Sequence, residues 1–335
     1  MTMETLRWGI IGCGDVTEIK SGPAFRRAQR SDLVAVMRRN GEKAEDYARR
    51  HGVPRWYTDG YDLINDPEVN AIYVATPPLY HEPYTIAALL AGKPVYVEKP
   101  MALNAAEGTS MSQVAQQTGV KLTVAHYRRG LPFFNEIKRV LASGAIGEVR
   151  LVNLQMLQPL ESGMIAQSDE NWRIDPAVSG GGLFHDLAPH QLDLMLYFFG
   201  DPVRASGIAL NQGKQYAADD TVAGEVLFEN GVLFNGLWSF AVPKEEAKDC
   251  CEIIGTEGKL SFPVFGKEFS LHRGGEVERF AFDHGPHIQQ PMIERVVAHF
   301  LDDAPNPCPA TEGIKVMQLM DTMVSRPEAD QEANG

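Results

Sequence analysis

Leu6-Arg7-Trp8-Gly9-Ile10-Ile11 is a compact apolar run, and it stops at Gly12-Cys13-Gly14-Asp15-Val16-Thr17. A short strand that gives way to closely spaced glycines and then to a helical stretch is the start of a dinucleotide-binding sheet. Gly12 and Gly14 allow a tight turn and close approach of the backbone to a pyrophosphate, and the helix start, with Asp15 and Val16, faces the negative charge. Thr17 stands where glycine or alanine is usual in this spacing. Its extra bulk predicts slightly looser packing of helix on strand.

Working outward, Leu33 to Met37, Ala71 to Ala75, Val95 to Val97 and Leu122 to Ala125 are further short apolar runs. Helical patterns at Glu42 to His51, Tyr84 to Ala91 and Ala105 to Thr118 separate them, with Gly92 and Gly119 where helix C-caps belong. This alternation predicts an α/β fold that begins with a doubly wound parallel sheet of the Rossmann kind. The second strand ends in Met37-Arg38-Arg39-Asn40, with no acid to hold ribose hydroxyls. Arginines there suit a 2′-phosphate and an adenine face, so NADP is favoured over NAD. Ala75-Thr76-Pro77-Pro78 makes a rigid crevice loop in which Thr76 can donate to a cofactor. His81, at a helix start, reads as structural or cofactor-contacting rather than as a proton carrier. Val95 to Val97 runs into Glu98-Lys99-Pro100, which puts a lysine at the carboxyl end of a strand, where such sheets bind ligands.

The centre of the chain carries a second constellation. Ser179-Gly180-Gly181-Gly182 precedes an apolar helix that runs to Gly200. Asp186, His190, Asp193 and Tyr197 fall on one face of it, a polar stripe expected to face a cleft. A carboxylate one turn before an imidazole suits proton transfer: the histidine takes an alcohol proton and the carboxylate orients the ring. A buried structural pair is the alternative use of such residues. His185 and His190 point about 140° apart on a helix, so no metal site is expected. Pro189 removes a backbone donor and should kink the helix or free the His185 carbonyl.

Taken in order, the glycine turn, Ala75-Thr76-Pro77, Glu98-Lys99-Pro100 and the triple glycine before Asp186-x-x-x-His190-x-x-Asp193 resemble the Gfo/Idh/MocA oxidoreductases. The resemblance spans about residues 6 to 325. It implies a Rossmann domain over residues 1–126 and a substrate-binding α/β domain over 127–327 built on an open, mostly antiparallel sheet. The last helix can return to the Rossmann domain. That sheet is expected to join subunits into a homodimer or homotetramer. The runs Val149 to Leu157, Thr221 to Phe228, Val232 to Phe240, Cys250 to Ile254 and Lys259 to Phe262 read as its strands, with Asn230-Gly231 as a hairpin turn. By the same resemblance Lys99 touches substrate and nicotinamide, Asp186 and His190 flank the reacting carbon, and His190 is the acid/base. Glu98 orients the loop or the cofactor. His126, Arg128, Trp172 and Arg173 are candidate contacts to a sugar or polyol, an aromatic face beside guanidinium groups suiting such ligands.

The chain has 335 residues, 44% hydrophobic and 22% charged, with a net charge of −13. That length suits two domains, and the acidity disfavours nucleic acid and anionic membranes as partners. Cys13, Cys250, Cys251 and Cys308 lack zinc-type spacing. Without a signal-peptide pattern or an apolar span of membrane length, a reduced, cytoplasmic protein is expected. Residues 328–335 read as a disordered tail. The expected activity is hydride transfer between NAD(P) and a hydroxyl-bearing carbon of a sugar, sugar derivative or cyclitol. A non-catalytic nucleotide-binding regulator and a redox-assisted epimerase or hydrolase are the alternatives.

Overall fold

The structure, a computed structural model, describes residues 4–164 and 171–325. The tail expected over 328–335 lies outside the described residues. The chain forms two compact units. The first comprises the described residues up to Leu131 with His284–Met317; the second comprises Pro132–Asp283 and the described residues from Gln318.

The first unit holds six strands: β1 (Leu6–Ile11), β2 (Ser31–Met37), β3 (Arg55–Tyr57), β4 (Ala71–Val74), β5 (Val95–Val97) and β6 (Leu122–Val124). They pair in the order β3-β2-β1-β4-β5-β6, all parallel. This is the doubly wound Rossmann order, and it reverses between β1 and β4, where such sheets open their ligand crevice. Leu6, Trp8, Ile10 and Ile11 of β1 are fully buried, as expected of a strand covered on both faces. Helix ends follow local chemistry. Asn40 accepts a hydrogen bond from the Lys43 N–H at 3.0 Å and starts helix Gly41–His51, which Gly52 ends at φ 64°. Asn104 does the same for Ala105–Thr118, which Gly119 ends at φ 67°. β3 escaped sequence reading because it has three residues and no fully buried side chain. The helix Gln290–Asp302 returns to this unit, where Arg295 donates to the Arg129 carbonyl at 3.0 Å.

The second unit holds β7 (Val149–Leu157), β8 (Pro202–Leu210), β9 (Thr221–Phe228), β10 (Leu233–Ser239), β11 (Lys248–Gly255), β12 (Gly258–Phe262), β13 (Glu268–Arg273) and β14 (Glu276–Ala281). Their order is β14-β13-β12-β11-β7-β10-β9-β8, and every pairing except β7 with β10 is antiparallel. The expected hairpin is present: Gly231 sits at φ +83°, and the Phe228 N–H donates to the Val232 carbonyl at 3.0 Å. β8, β13 and β14 were not anticipated. β8 and β14 bury no residue fully, so neither carries a clean period-two signal. Helix Gly182–Phe199 packs on β9 and β10 and runs unbroken through Pro189. Phe184 meets Trp238 edge-on at 5.2 Å, and Phe199 meets Phe228 at 5.7 Å. Burial on nearly all sides accounts for its continuous apolar sequence.

Among the described residues no helix is long and apolar enough to cross a membrane, and no cluster of His, Cys, Asp or Glu is arranged to hold a metal ion.

Candidate nucleotide turn and catalytic helix

In the first unit, β1 delivers the chain into the turn at Gly12. The Gly12 and Cys13 N–H groups both donate to the Met37 carbonyl, at 2.9 and 3.0 Å, so the turn is pinned to the end of β2. Gly12 has φ +96°, and a Cβ there would lie 2.7 Å from the Thr76 nitrogen and 2.8 Å from the Ala75 carbonyl oxygen. Only glycine fits. Gly14 differs: a Cβ there would meet nothing nearer than the Gly12 oxygen at 4.0 Å. Its open side is the space that a pyrophosphate approaching the backbone requires. The Thr76 Oγ1 is buried and has no hydrogen-bond partner among the described residues. A buried hydroxyl without a partner is costly, and a ligand group supplies one. The turn therefore fits a dinucleotide.

Thr17 does not loosen this turn. It is fully buried, its hydroxyl donates to the Gly14 carbonyl at 2.7 Å, and its own carbonyl accepts from the Tyr47 hydroxyl at 2.8 Å. The expected penalty of a larger side chain is met by an internal hydrogen bond. Asp15 and Val16 open a helix of only five residues, Asp15–Ile19, with no side chain capping its start at Gly14. Cys13 is buried, which pushes its thiol up to about 12 despite the nearby Arg38 charge. It stays protonated and unreactive.

The two arginines after β2 part company. Arg38 turns toward the glycine turn, its Nη1 3.4 Å from the Cys13 carbonyl oxygen. Arg39 instead lies over the Tyr80 ring, 5.4 Å from its centroid. Tyr80 ends the short turn Pro78–Tyr80 that follows Pro77, and sequence reading had not singled it out.

Lys99, half-exposed, follows β5 in a turn anchored on both sides. The Glu98 carboxylate, 6% exposed, accepts from the Tyr73 hydroxyl, from Gln289 Nε2 at 2.7 Å and from the Lys99 N–H at 3.1 Å. Burial, then the Glu98 charge, pushes the Tyr73 hydroxyl far above the usual phenol range. The Lys99–Pro100 bond is cis. His81 bridges two loops: its Nε2 is 2.8 Å from the Thr76 carbonyl oxygen and its Nδ1 2.9 Å from that of Pro100. Burial pushes its pKa down, and the two carbonyls oppose that. A neutral ring can donate to only one of them. Glu98 and His81 thus bind the protein itself through their polar atoms. His126 and Arg128 are buried after β6, with Arg128 5.3 Å from the Tyr127 centroid. Arg129 is buried as well, its Nη2 3.5 Å from the Glu312 Oε2.

In the second unit the polar stripe of helix Gly182–Phe199 divides. Asp186 pairs with Arg173, Nε to Oδ2 at 3.2 Å, and Arg173 lies over the Trp172 ring at 4.3 Å. His190 is buried and edge-on to Phe265 at 5.4 Å. Asp193 is buried. Tyr197 leaves the stripe, donating to Asn135 at 2.9 Å with the Lys138 ammonium on its ring. His185, next to Asp186 in the sequence, is 2% exposed, and burial pushes its pKa down to about 4.

Tyr73, Gln289 and Phe265 were missed from sequence. Tyr73 left a signal, since a phenol in a buried strand needs a partner. Gln289 left none, lying 191 residues from Glu98 along the chain.

Comparison with known proteins agrees with both halves. Residues 6–126 match the family model described as an oxidoreductase family with an NAD-binding Rossmann fold, and residues 134–261 match that of the GFO/IDH/MocA C-terminal domain. The chain is 44% identical over 318 residues to Oxidoreductase P35 of Formosa agariphila, covering 94% of this chain and 97% of that protein. It is 30% identical over 259 residues to the 1,5-anhydro-D-fructose reductase of Ensifer adhaerens, covering 76% and 74%. Its fold resembles the aldose-aldose oxidoreductase of Caulobacter crescentus, solved with glycerol, at a TM-score of 0.84 and 23% identity, covering 95% and 96%.

Proposed function

This chain belongs to the GFO/IDH/MocA oxidoreductase family and acts as an NAD(P)-dependent oxidoreductase on CH–OH groups, and from that premise we propose a sugar, sugar derivative or cyclitol as substrate and NADP as the preferred cofactor. The observation that carries the reading is a carboxylate and an imidazole one helical turn apart in a chain with a nucleotide turn. The 30% identity to a 1,5-anhydro-D-fructose reductase supports the sugar class.

The bound nicotinamide supplies the hydride acceptor or donor. Gly14 lets the backbone approach the pyrophosphate, and the Thr76 hydroxyl gains a partner in the cofactor. Arg38, turned toward the glycine turn with no acid beside it in the sequence, pairs with the 2′-phosphate. In oxidation His190 accepts the hydroxyl proton at a ring nitrogen; in reduction it returns it. Asp186 supports the imidazolium that forms. The Lys99 ammonium stabilises the developing alkoxide, and Glu98 and His81 hold the turn that aims it. His126, Arg128 and Trp172 contact the substrate. Val203, Ile208 and Leu210 of β8, exposed on the sheet, suit a second copy of the chain in a homodimer or homotetramer.

A panel of sugars and polyols assayed by nicotinamide absorbance with each cofactor tests this. Turnover of at least one member, faster with NADP, is expected. No turnover with either cofactor refutes the substrate class.

A further inference from the structure

Arg173 sits in the short turn Trp172–Ile174, ahead of helix Pro176–Ser179 and the three glycines. The glycines reverse the chain. Gly180 and Gly182 take φ +90° and +74°, and a Cβ on Gly181 would lie 2.1 Å from the His185 Nδ1. No other residue type would let helix Gly182–Phe199 start so close to the preceding turn. The reversal places Asp186 3.2 Å from the Arg173 Nε, with side chains 7% and 13% exposed for Arg173 and Asp186. The Arg173 Nε–H makes no aligned hydrogen bond, so at this atom the contact is an ion pair. The Trp172 ring covers the guanidinium at 4.3 Å.

A guanidinium this buried is stable only when paired. Held between the Trp172 ring and the Asp186 carboxylate, it has little rotamer freedom, and it restrains the carboxylate in turn. Asp186 lies one turn before His190, so whatever fixes the carboxylate fixes the charge presented to that imidazole.

We propose that Arg173 is a positioning residue that keeps Asp186 aimed for His190, rather than an anchor for a charged group of the substrate. This rests on the functional reading above. A positioning role predicts a loss in kcat with KM kept, because displacing a reacting group by about 1 Å costs on the order of 100-fold. An anchor predicts the reverse, with KM rising most for sugar acids.

The test is a double-mutant cycle with Arg173→Met and Asp186→Asn, read in kcat, in KM for a neutral and an acidic sugar, and in Tm. Arg173→Met should lower kcat roughly 10- to 100-fold and change either KM less than about 3-fold. Added to Asp186→Asn, it should lower kcat less than about 3-fold further, because the carboxylate it serves is gone. Tm should fall for Arg173→Met, because a buried carboxylate loses an ion-pair partner. Should Arg173→Met not fold, Arg173→Lys, which keeps the charge and loses the planar fork, takes its place in the cycle. Independent effects on kcat, or a KM rise confined to the acidic sugar, overturn the proposal. A wild type that turns over no substrate defeats the functional reading and this role with it. Turnover by the wild type with additive effects defeats the positioning role alone.

Discussion

Gly14→Ala separates the demands of folding from those of binding. A Cβ there meets no atom closer than 4.0 Å, and Gly14 has φ −120°, which any residue adopts. The apo protein should therefore keep its stability to within about 0.5 kcal/mol, as at an unconstrained site. The open side that receives the methyl is where the cofactor's pyrophosphate is proposed to approach. Holding that group off the backbone loses one or two hydrogen bonds to a charged partner, each worth roughly 1.5–3 kcal/mol. NADPH affinity should fall about 10- to 100-fold or more, at about 1.4 kcal/mol per tenfold. Gly12→Ala is the control. There the methyl would lie 2.7 Å from the Thr76 nitrogen at φ +96°. Left-handed strain alone costs roughly 1–2 kcal/mol, and the backbone overlap adds to it, so this variant should melt lower with or without cofactor. Nucleotide titration by fluorescence, with thermal melting of the same samples, reads both quantities. Wild-type NADPH affinity in Gly14→Ala would refute the placement of the pyrophosphate.

Other substitutions address separate groups. His185 has its pKa pushed by burial from 6.5 to about 4, so the unfolded chain takes up a proton before the native one does. Stability is therefore complete above the unfolded value and is lost as pH falls toward the folded one, by about 2 kcal/mol from about pH 7 to about pH 5. His185→Asn should flatten that part of the urea-midpoint profile, and parallel profiles for the two proteins would show that His185 is not the group responsible. Arg38→Ala should weaken NADPH binding roughly 10- to 100-fold and NADH binding less than about 3-fold, from loss of a charge-assisted contact. Equal losses for the two nucleotides would remove the phosphate contact. Lys99→Ala should cut kcat by about 10²–10³, the scale of a lost oxyanion donor, with an unchanged melting curve. Unimpaired turnover would dismiss its role.

Much of the fold was legible because the signals are local. β1 and its glycines, the capping Asn40 and Asn104, Gly119, and the Asn230-Gly231 hairpin each follow from what a few neighbouring residues can adopt. β3 and β14 were illegible because edge strands with little burial need no apolar pattern. Within the candidate site the glycine turn was readable, and the bonding of its neighbours was not. Thr17 was expected to loosen the packing, yet its hydroxyl finds the Gly14 carbonyl. Tyr197 shares a helical face with Asp186 and His190, yet it bonds Asn135.

The sequence by itself determined the parallel sheet, the turn with room for a pyrophosphate, and the helix that carries Asp186 and His190. Those features depend on φ, on side-chain period and on adjacent residues, which order along the chain specifies. The tertiary structure alone decided that Glu98 is held by Tyr73 and Gln289, that Arg173 belongs to Asp186, and that His185 is buried enough to stay neutral. A charge's partner and a ring's desolvation depend on which distant segments meet in space. No spacing within one segment encodes that.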